Sequence, residues 1–175
     1  DTVGAMNCMS VDNWRIANVN TLICDTYRAI HKISNDVDFG ISPQGNIDNN
    51  AKIYADVKSW CICKGFVDYI CPQLYYSLEN PALTFENSLN SWASLDINKN
   101  VKLYVGLAGY KANTDSDEGT WLYSDNVLSK EYKIAMQNEK VSGIMLYSYS
   151  ALEDENASAE IANLTNAIKN SESGS

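Results

Sequence analysis

Four short apolar runs, each leading into a polar loop rich in aromatic residues, constrain the fold of this chain most. The runs are rich in branched and aromatic residues and cover residues 38–45, 67–77, 101–111 and 143–150. A stretch with helical periodicity separates each run from the next. Near-continuous apolar strands that alternate with helices are typical of parallel β/α units. We therefore predict an α/β fold of four parallel units, which is half of a (β/α)₈ TIM barrel.

The helices are predicted from apolar residues that recur every three or four positions. In residues 12–33 this pattern predicts one buried helix face, formed by Val19, Leu22, Ile23, Tyr27 and Ile30. Composition predicts a loop over residues 46–50 and a longer, functional or mobile loop over residues 112–123. No internal boundary is visible. We predict one domain over residues 1–170 and a disordered, linker-like tail over residues 171–175.

Charge and composition exclude several classes of function. The net charge of -9, with only two arginines, argues against nucleic acid as a partner. The five cysteines are an odd number without C-x-x-C spacing, which predicts neither a zinc site nor a disulfide framework. The single histidine, His31, lies on a predicted helix, so this chain alone does not supply Ser-His-Asp chemistry at a strand end. We expect no cofactor and no bound metal.

The sequence contains no signal peptide and no apolar stretch long enough to span a membrane. It begins with Asp1 rather than Met. We therefore expect a fragment or a mature product, which an export signal could have preceded.

The ends of the apolar runs carry side chains that suit a sugar. The loops after the strands build the active site of a (β/α)₈ barrel. Tyrosine rings can stack on the C–H faces of a sugar, while hydroxyl, amide and ammonium groups bind its hydroxyls. The candidate substrate-binding residues are Gln44, Asn46, Gln73, Tyr75, Tyr110, Lys111, Trp121, Tyr147 and Tyr149.

Carboxyl groups are the second requirement, because glycoside hydrolysis normally uses a pair of them. None lies at the end of an apolar run. Asp68 lies at the start of its run, on the side of a barrel that serves stability. Among the loop acids we select Glu118 as the candidate catalytic residue, because Gly119 and Trp121 beside it could form part of a subsite wall.

Five segments, taken together and in order, resemble the glycosyl-hydrolase family 10-like (GHL10-type) TIM-barrel domain of bacterial cell-envelope glycosidases. They correspond to barrel strands five to eight and the preceding helix, and they cover residues 14–20, 39–43, 67–75, 103–111 and 143–149. The resemblance implies hydrolysis of glycosidic bonds in a cell-envelope or extracellular polysaccharide, most plausibly of the peptidoglycan type, outside the cell or in its envelope. It also implies that the main acidic motif, adjacent aspartates followed by aromatics, lies upstream of Asp1.

Two other functions stay open at this stage. The chain could be a non-catalytic carbohydrate-binding protein that uses the same face, or a flavodoxin-like doubly wound domain that binds a small ligand or a protein. A half-barrel has two open sheet edges, which invite pairing with another chain. We therefore also expect either a homodimer or pairing with the missing N-terminal half of the barrel.

Overall fold

The computed structural model describes residues 9–173 and alternates helices with strands along the whole of that range. The strands are β1 (Gly40–Ile41), β2 (Tyr69–Ile70), β3 (Lys102–Ala108) and β4 (Val141–Tyr147). The helices are α1 (Val11–Ile33), α2 (Ile47–Lys52), α3 (Val57–Ile62), α4 (Phe85–Ala93), the single turn α5 (Ser116–Gly119), α6 (Val127–Met136) and α7 (Ser158–Ser173). Short 3₁₀ turns follow β3 and β4.

The four strands form one parallel sheet in the order β1-β2-β3-β4. Each strand therefore lies beside the strand before it in sequence. A doubly wound sheet reverses its direction at a switch point, and this sheet does not. The flavodoxin-like alternative is therefore wrong, and the predicted architecture, four consecutive β/α units as in half of a TIM barrel, is confirmed.

One face of the sheet carries the hydrophobic core. Leu103, Val105 and Leu107 of β3 alternate along the strand and join one buried cluster with Trp60 of α3 and Trp92 of α4. Alternation along a strand sends the intervening side chains to the opposite face.

The opposite face remains partly open. In β4, Ile144 and Leu146 pack against the core. Met145 and Tyr147, which alternate with them along the strand, are exposed. This is the side that would face the interior of a closed barrel, so the sheet presents both an apolar inner face and a rim at its carboxyl ends.

The sheet continues past the short β1 and β2 towards that rim. Isolated parallel bridges join Gln44 to Gln73 and Gln73 to Gly106. The absence of a side chain at Gly106 matters here, because a Cβ atom would lie 3.0 Å from the carbonyl oxygen of Pro72 and 3.3 Å from the ring of Tyr75. The backbones of three neighbouring units therefore run side by side up to the residues predicted to bind a ligand.

Helix α1 differs from its prediction. Its start is capped, since the Ser10 hydroxyl accepts a hydrogen bond from the Asn13 amide. However, no residue of α1 is fully buried, and Leu22, assigned to the buried face, is 65% exposed. Only Val19 and Ile23 of that face approach the core closely. The hydrogen bonds of the helix to the rest of the protein include those of the Asn20 side chain with the Trp60 indole and the Asp56 carboxylate, and the two-residue β1 offers little further surface to cover it.

Three smaller expectations also need correction. The segment 46–50 is not a loop, because α2 begins at Ile47. The predicted disordered tail does not begin at residue 171, because α7 continues to Ser173; the last two residues of that tail lie outside the described range, as does Cys8. Within residues 9–173, no helix combines the length and the apolarity that crossing a bilayer requires.

Candidate functional site

Three tyrosine rings meet at the carboxyl rim of the sheet, and we call Tyr75, Tyr110 and Tyr147 the tyrosine cluster. The ring of Tyr75 stacks on that of Tyr147 with centroids 5.8 Å apart and planes inclined by 25°. Tyr110 meets both of them edge-on, each at a centroid distance of 5.9 Å. These are favoured geometries for aromatic pairs. Tyr110 and Tyr147 nevertheless remain 46% and 57% exposed, so the cluster can still offer ring surface to a ligand.

The three rings come from three consecutive β/α units. Tyr147 is the last residue of β4, Tyr110 lies in the turn after β3, and Tyr75 follows the bridge residue Gln73 beyond β2. The carboxyl ends of parallel strands gather at one rim whatever their loops do. The sequence therefore predicted this meeting of side chains, and the structure confirms that they are brought together.

The phenol groups of Tyr75 and Tyr110 stay protonated at neutral pH. Burial, followed by the proximity of Cys71 and the two other rings, raises the pKa of Tyr75 to about 12. Burial, and then the nearby Asp117 carboxylate, also raises the pKa of Tyr110 above its ordinary value. A protonated phenol can both donate and accept a hydrogen bond. The cluster thus combines apolar faces with neutral hydroxyl groups.

An ion pair lies directly behind the cluster. The Lys111 ammonium donates to the Asp117 carboxylate at 2.6 Å and to the backbone carbonyl of Tyr75 at 2.7 Å. Only 14% of the Lys111 side chain and 10% of the Asp117 side chain are exposed. Lys111 was predicted to donate to a substrate. The structure instead directs its ammonium group to two protein oxygens.

The second oxygen of the Asp117 carboxylate is also engaged. It accepts hydrogen bonds from the Ser77 amide and from the Trp121 indole, each at 3.0 Å. Burial alone would raise the pKa of Asp117, but the hydrogen bonds from Lys111, Trp121 and Ser77 outweigh it and lower the pKa. Asp117 is therefore a fixed anion. In the sequence Asp117 is one of several acidic residues in the loop 112–123, and nothing in the spacing alone distinguishes it from Asp115.

The turn that carries Asp117 also holds two of the predicted site residues. Trp121 is fully buried, so its assignment to a substrate-binding wall is wrong; its indole supports Asp117 instead. Glu118 is exposed, and its backbone, like that of Asp117, is left-handed, with φ near +59°. Its catalytic role stays a prediction.

Of the remaining candidate residues, two have side chains held by hydrogen bonds to the protein and two are exposed. The Gln73 amide donates to the Ser42 carbonyl at 3.0 Å, which ties β2 to the end of β1. The Asn46 side chain caps α2 by accepting from the Asp48 amide. Gln44 is exposed, and Tyr149, also exposed, lies in the turn after β4, beyond the three-ring cluster. Ligand contact by these four residues stays a prediction.

Two further carboxyl groups, which the sequence did not reveal, lie inside the protein behind this rim. The Glu160 carboxylate accepts from the amides of Val127 and Leu128 at 2.8 and 2.9 Å and so caps α6. Within the described part of the chain, neither carboxyl oxygen of buried Glu131 has a hydrogen-bond partner. Burial, then the charges of Glu160 and Asp117, raise the pKa of Glu131 well above its ordinary value.

A metal site requires several ligating side chains to lie close together. Across residues 9–173, no three His, Cys, Asp or Glu side chains are grouped so that they could hold a metal ion.

Comparison with known proteins places this geometry in a family context. Residues 3–123 match the family described as glycosyl hydrolase-like 10. The chain is 31% identical over 159 residues to glycosyl hydrolase YngK of Bacillus subtilis (strain 168), a match that covers 82% of this chain and 31% of YngK. It is 28% identical over 153 residues to glycosyl hydrolase DigH of Escherichia coli (strain K12), covering 77% of this chain and 35% of DigH. The chain thus spans about a third of the length of the curated relatives it matches.

Proposed function

Because this chain belongs to the glycosyl hydrolase-like 10 family, we propose that it forms part of a glycoside hydrolase and that its tyrosine cluster binds one sugar unit of the substrate. The observation that carries the proposal is the meeting of three partly exposed rings from three strand ends. A sugar has apolar C–H faces and a belt of hydroxyl groups, and the cluster offers ring faces together with phenol hydroxyl groups.

We propose a cell-envelope or extracellular polysaccharide, of the peptidoglycan type, as the substrate, and a location outside the cell or in its envelope. The support is the similarity to two proteins named glycosyl hydrolases and the resemblance of the strand segments to envelope glycosidases. The net charge of -9 is compatible with a glycan and unfavourable for a nucleic-acid backbone.

The catalytic acid and base are proposed to come largely from outside these 175 residues. The carboxylate that touches the rim, Asp117, already accepts three hydrogen bonds and is held as an anion. A general acid instead needs a raised pKa and a free path to the leaving-group oxygen. We therefore expect the 175-residue chain alone to bind glycan without hydrolysing it at an enzymatic rate.

The same observation favours a second candidate function, non-catalytic carbohydrate binding, if no other part of the protein supplies the carboxyl pair. Glu118→Gln in the longest natural form of the protein tests the one candidate within this chain. Loss of turnover by about a hundredfold or more, with binding retained, would place the acid at Glu118. Unchanged turnover would remove Glu118 from the mechanism.

Binding is tested with chito-oligosaccharides and with soluble peptidoglycan strands, measured by calorimetry. Tyr147→Ala should weaken binding about tenfold, which corresponds to about 1.4 kcal/mol, because it removes the most exposed ring of the cluster. Tyr123→Ala is the matched control, since Tyr123 is also highly exposed but is no member of the cluster. Equal affinities for wild type and Tyr147→Ala would place glycan binding elsewhere.

The open edges of β1 and β4 support a further part of the proposal, which concerns assembly. Each edge strand pairs with only one neighbour in the described sheet. Unpaired parallel edges and a partly open apolar face favour either a two-fold dimer or pairing with another half-barrel. Light scattering of the isolated chain at micromolar concentration should show self-association, and a well-folded monomer would contradict this expectation.

A further inference from the structure

We propose that Lys111 and Asp117 are a positioning pair, which sets the geometry of the tyrosine cluster without touching the ligand. This inference rests on the proposed glycan site and concerns how that site is held together. Its basis is a set of short contacts between the loop after β3 and the loop after β2.

The pair holds the loop after β2 on both sides of one residue. Lys111 binds the carbonyl of Tyr75 at 2.7 Å, and Asp117 binds the amide of Ser77 at 3.0 Å. A third contact, between the hydroxyl groups of Ser77 and Thr120 at 2.6 Å, fastens the same two loops. The backbone around Tyr75 and Tyr76 is therefore clamped to a different β/α unit from its own.

The clamp acts on the rings through the backbone. Tyr75 stacks on Tyr147 and meets Tyr110 edge-on, so a shift of its backbone changes both ring contacts. Tyr110 precedes Lys111 in the same 3₁₀ turn. The pair therefore fixes two of the three rings directly and reaches the third through stacking.

The charges of the pair are both needed for this role. The two side chains are largely shielded from water. In such a shielded position an ammonium or carboxylate group without a partner is strongly disfavoured. The ammonium group faces one carboxylate and one carbonyl, and the carboxylate faces an ammonium, an amide and an indole. Because the ammonium group is engaged by two protein oxygens and the side chain is only 14% exposed, we assign positioning rather than ligand binding to Lys111.

The strand itself offers a matched control. Lys102, at the start of β3, forms an ion pair with Asp38 at 3.3 Å, with both side chains more than half exposed. Lys111 lies just beyond the end of the same strand. Lys111→Met and Lys102→Met therefore make the same chemical change at the two ends of one strand.

We expect Lys111→Met to weaken binding of chito-oligosaccharides at least fivefold and to reduce the nuclear Overhauser effects between the Tyr75 and Tyr147 rings. Lys102→Met should change neither quantity. Lys111→Arg, which keeps the charge, should restore part of the affinity. If Lys111→Met does not fold by near-ultraviolet circular dichroism, Asp117→Asn serves instead, because its amide oxygen can still accept from Ser77.

A double variant distinguishes positioning from direct contact. If Lys111 acts only through the rings, Lys111→Met should cause a smaller loss of affinity when Tyr147→Ala is already present than it does alone, since the two changes share part of one mechanism. Additive losses would mean that Lys111 contacts the glycan and would overturn the inference. Wild-type affinity in Lys111→Met, alongside a loss in Tyr147→Ala, would overturn it as well.

Failure of the proposed function gives a different result. Tyr147→Ala would then bind the oligosaccharide as wild type does, and affinity would carry no information on positioning. The ring-to-ring Overhauser effects still decide: their loss in Lys111→Met supports the pair as the element that places the rings, and their persistence contradicts it.

Discussion

The two ends of the same parallel sheet each carry a partly buried aspartate, and they use it differently. At the amino end, Asp68 accepts from the Phe39 amide at 2.8 Å and faces the His31 imidazole at 3.2 Å. At the carboxyl end, Asp117 accepts from a lysine, an amide and an indole. Asp68 ties α1 and β1 to β2, which are neighbouring elements. Asp117 ties together two loops that belong to different units.

The aromatic residues near these aspartates show what the difference means. At the amino end, Tyr27 stacks on His31, one turn further along α1, with ring centroids 4.1 Å apart. Burial and then the charge of Asp68 raise the pKa of Tyr27. At the carboxyl end, the rings beside Asp117 remain partly exposed. The charge at one end therefore attaches a helix, while the charge at the other end supports a surface that can receive a ligand.

The largest effect on stability is expected at the carboxyl end. Asp117→Ala leaves the Lys111 ammonium shielded from water without its carboxylate, and it also removes the acceptor for Ser77 and Trp121. We expect a loss of about 3 kcal/mol in the free energy of unfolding, measured with urea. A loss below about 1 kcal/mol would show that Lys111 reaches water easily, and the contrast between the two ends would weaken.

A smaller loss is expected at the amino end. Asp68→Ala removes the acceptor for the Phe39 amide and the partner of His31, which should cost about 2 kcal/mol. Hydrogen exchange should accelerate mainly in α1, while binding of oligosaccharide stays at the wild-type level. Asp68→Asn keeps one acceptor oxygen and should be milder. A change in glycan affinity would contradict the view that the amino end of the sheet only attaches α1 while the carboxyl end binds the ligand.

Replacing buried Glu131, whose pKa responds to the charge of Asp117, should instead increase the free energy of unfolding. The pKa of Glu131 in the folded protein is raised above the ordinary value of 4.5. Its contribution to folding stability is therefore fully present below pH 4.5 and is lost as the pH rises through the folded-state pKa. Glu131→Leu removes an unpartnered buried carboxyl group and should stabilise the protein by about 1 kcal/mol near neutrality.

The pH dependence of that gain checks its cause. Urea unfolding at pH 5 and at pH 8 should show a larger gain at pH 8, because only the wild type loses stability over this interval through Glu131. Asp117 gives the opposite pH dependence, because its pKa is lowered in the folded protein. Its contribution to stability is present above the ordinary pKa of 3.8 and is lost as the pH falls through the folded-state pKa. A gain that does not depend on pH would mean that Glu131 ionises in the folded protein as it does in the unfolded chain, which would contradict a raised pKa.

The smallest effect on stability is expected for the exposed ion pair between Lys102 and Asp38. Lys102→Met breaks a contact with Asp38 between two solvated side chains, and such pairs contribute little. The urea midpoint should not change measurably. A clear shift would show that the amino end also depends on its surface charges.

Much of the fold was predictable from the sequence, because it follows from periodicity alone. Apolar runs separated by helical stretches predicted four parallel units, and the rule that strand ends share one rim placed Tyr75, Tyr110 and Tyr147 near one another. The same periodicity failed for Leu22 of α1. A repeat of apolar residues shows which face of a helix is apolar, but not whether enough neighbouring structure exists to cover it.

The support of the site was not predictable. The contact between Lys111 and Asp117 depends on the left-handed backbone at Asp117 and Glu118, which ordinary residues rarely adopt. No pattern in the loop 112–123 indicates that conformation. The burial of Trp121 follows from the same turn, so a tryptophan that resembled a subsite wall in the sequence became part of the support for Asp117.

The origin of the three rings in three consecutive units has a consequence for folding. A sugar that touches all three rings would bridge segments from Tyr75 to Tyr147 and would bind only after every intervening unit has formed. Binding would then be linked to unfolding of the chain as a whole, and not to the opening of one loop. At a free ligand concentration one hundred times the dissociation constant, such linkage adds about 2.7 kcal/mol to stability. The substrate would in this way act as a reversible cross-link that makes these three units unfold together.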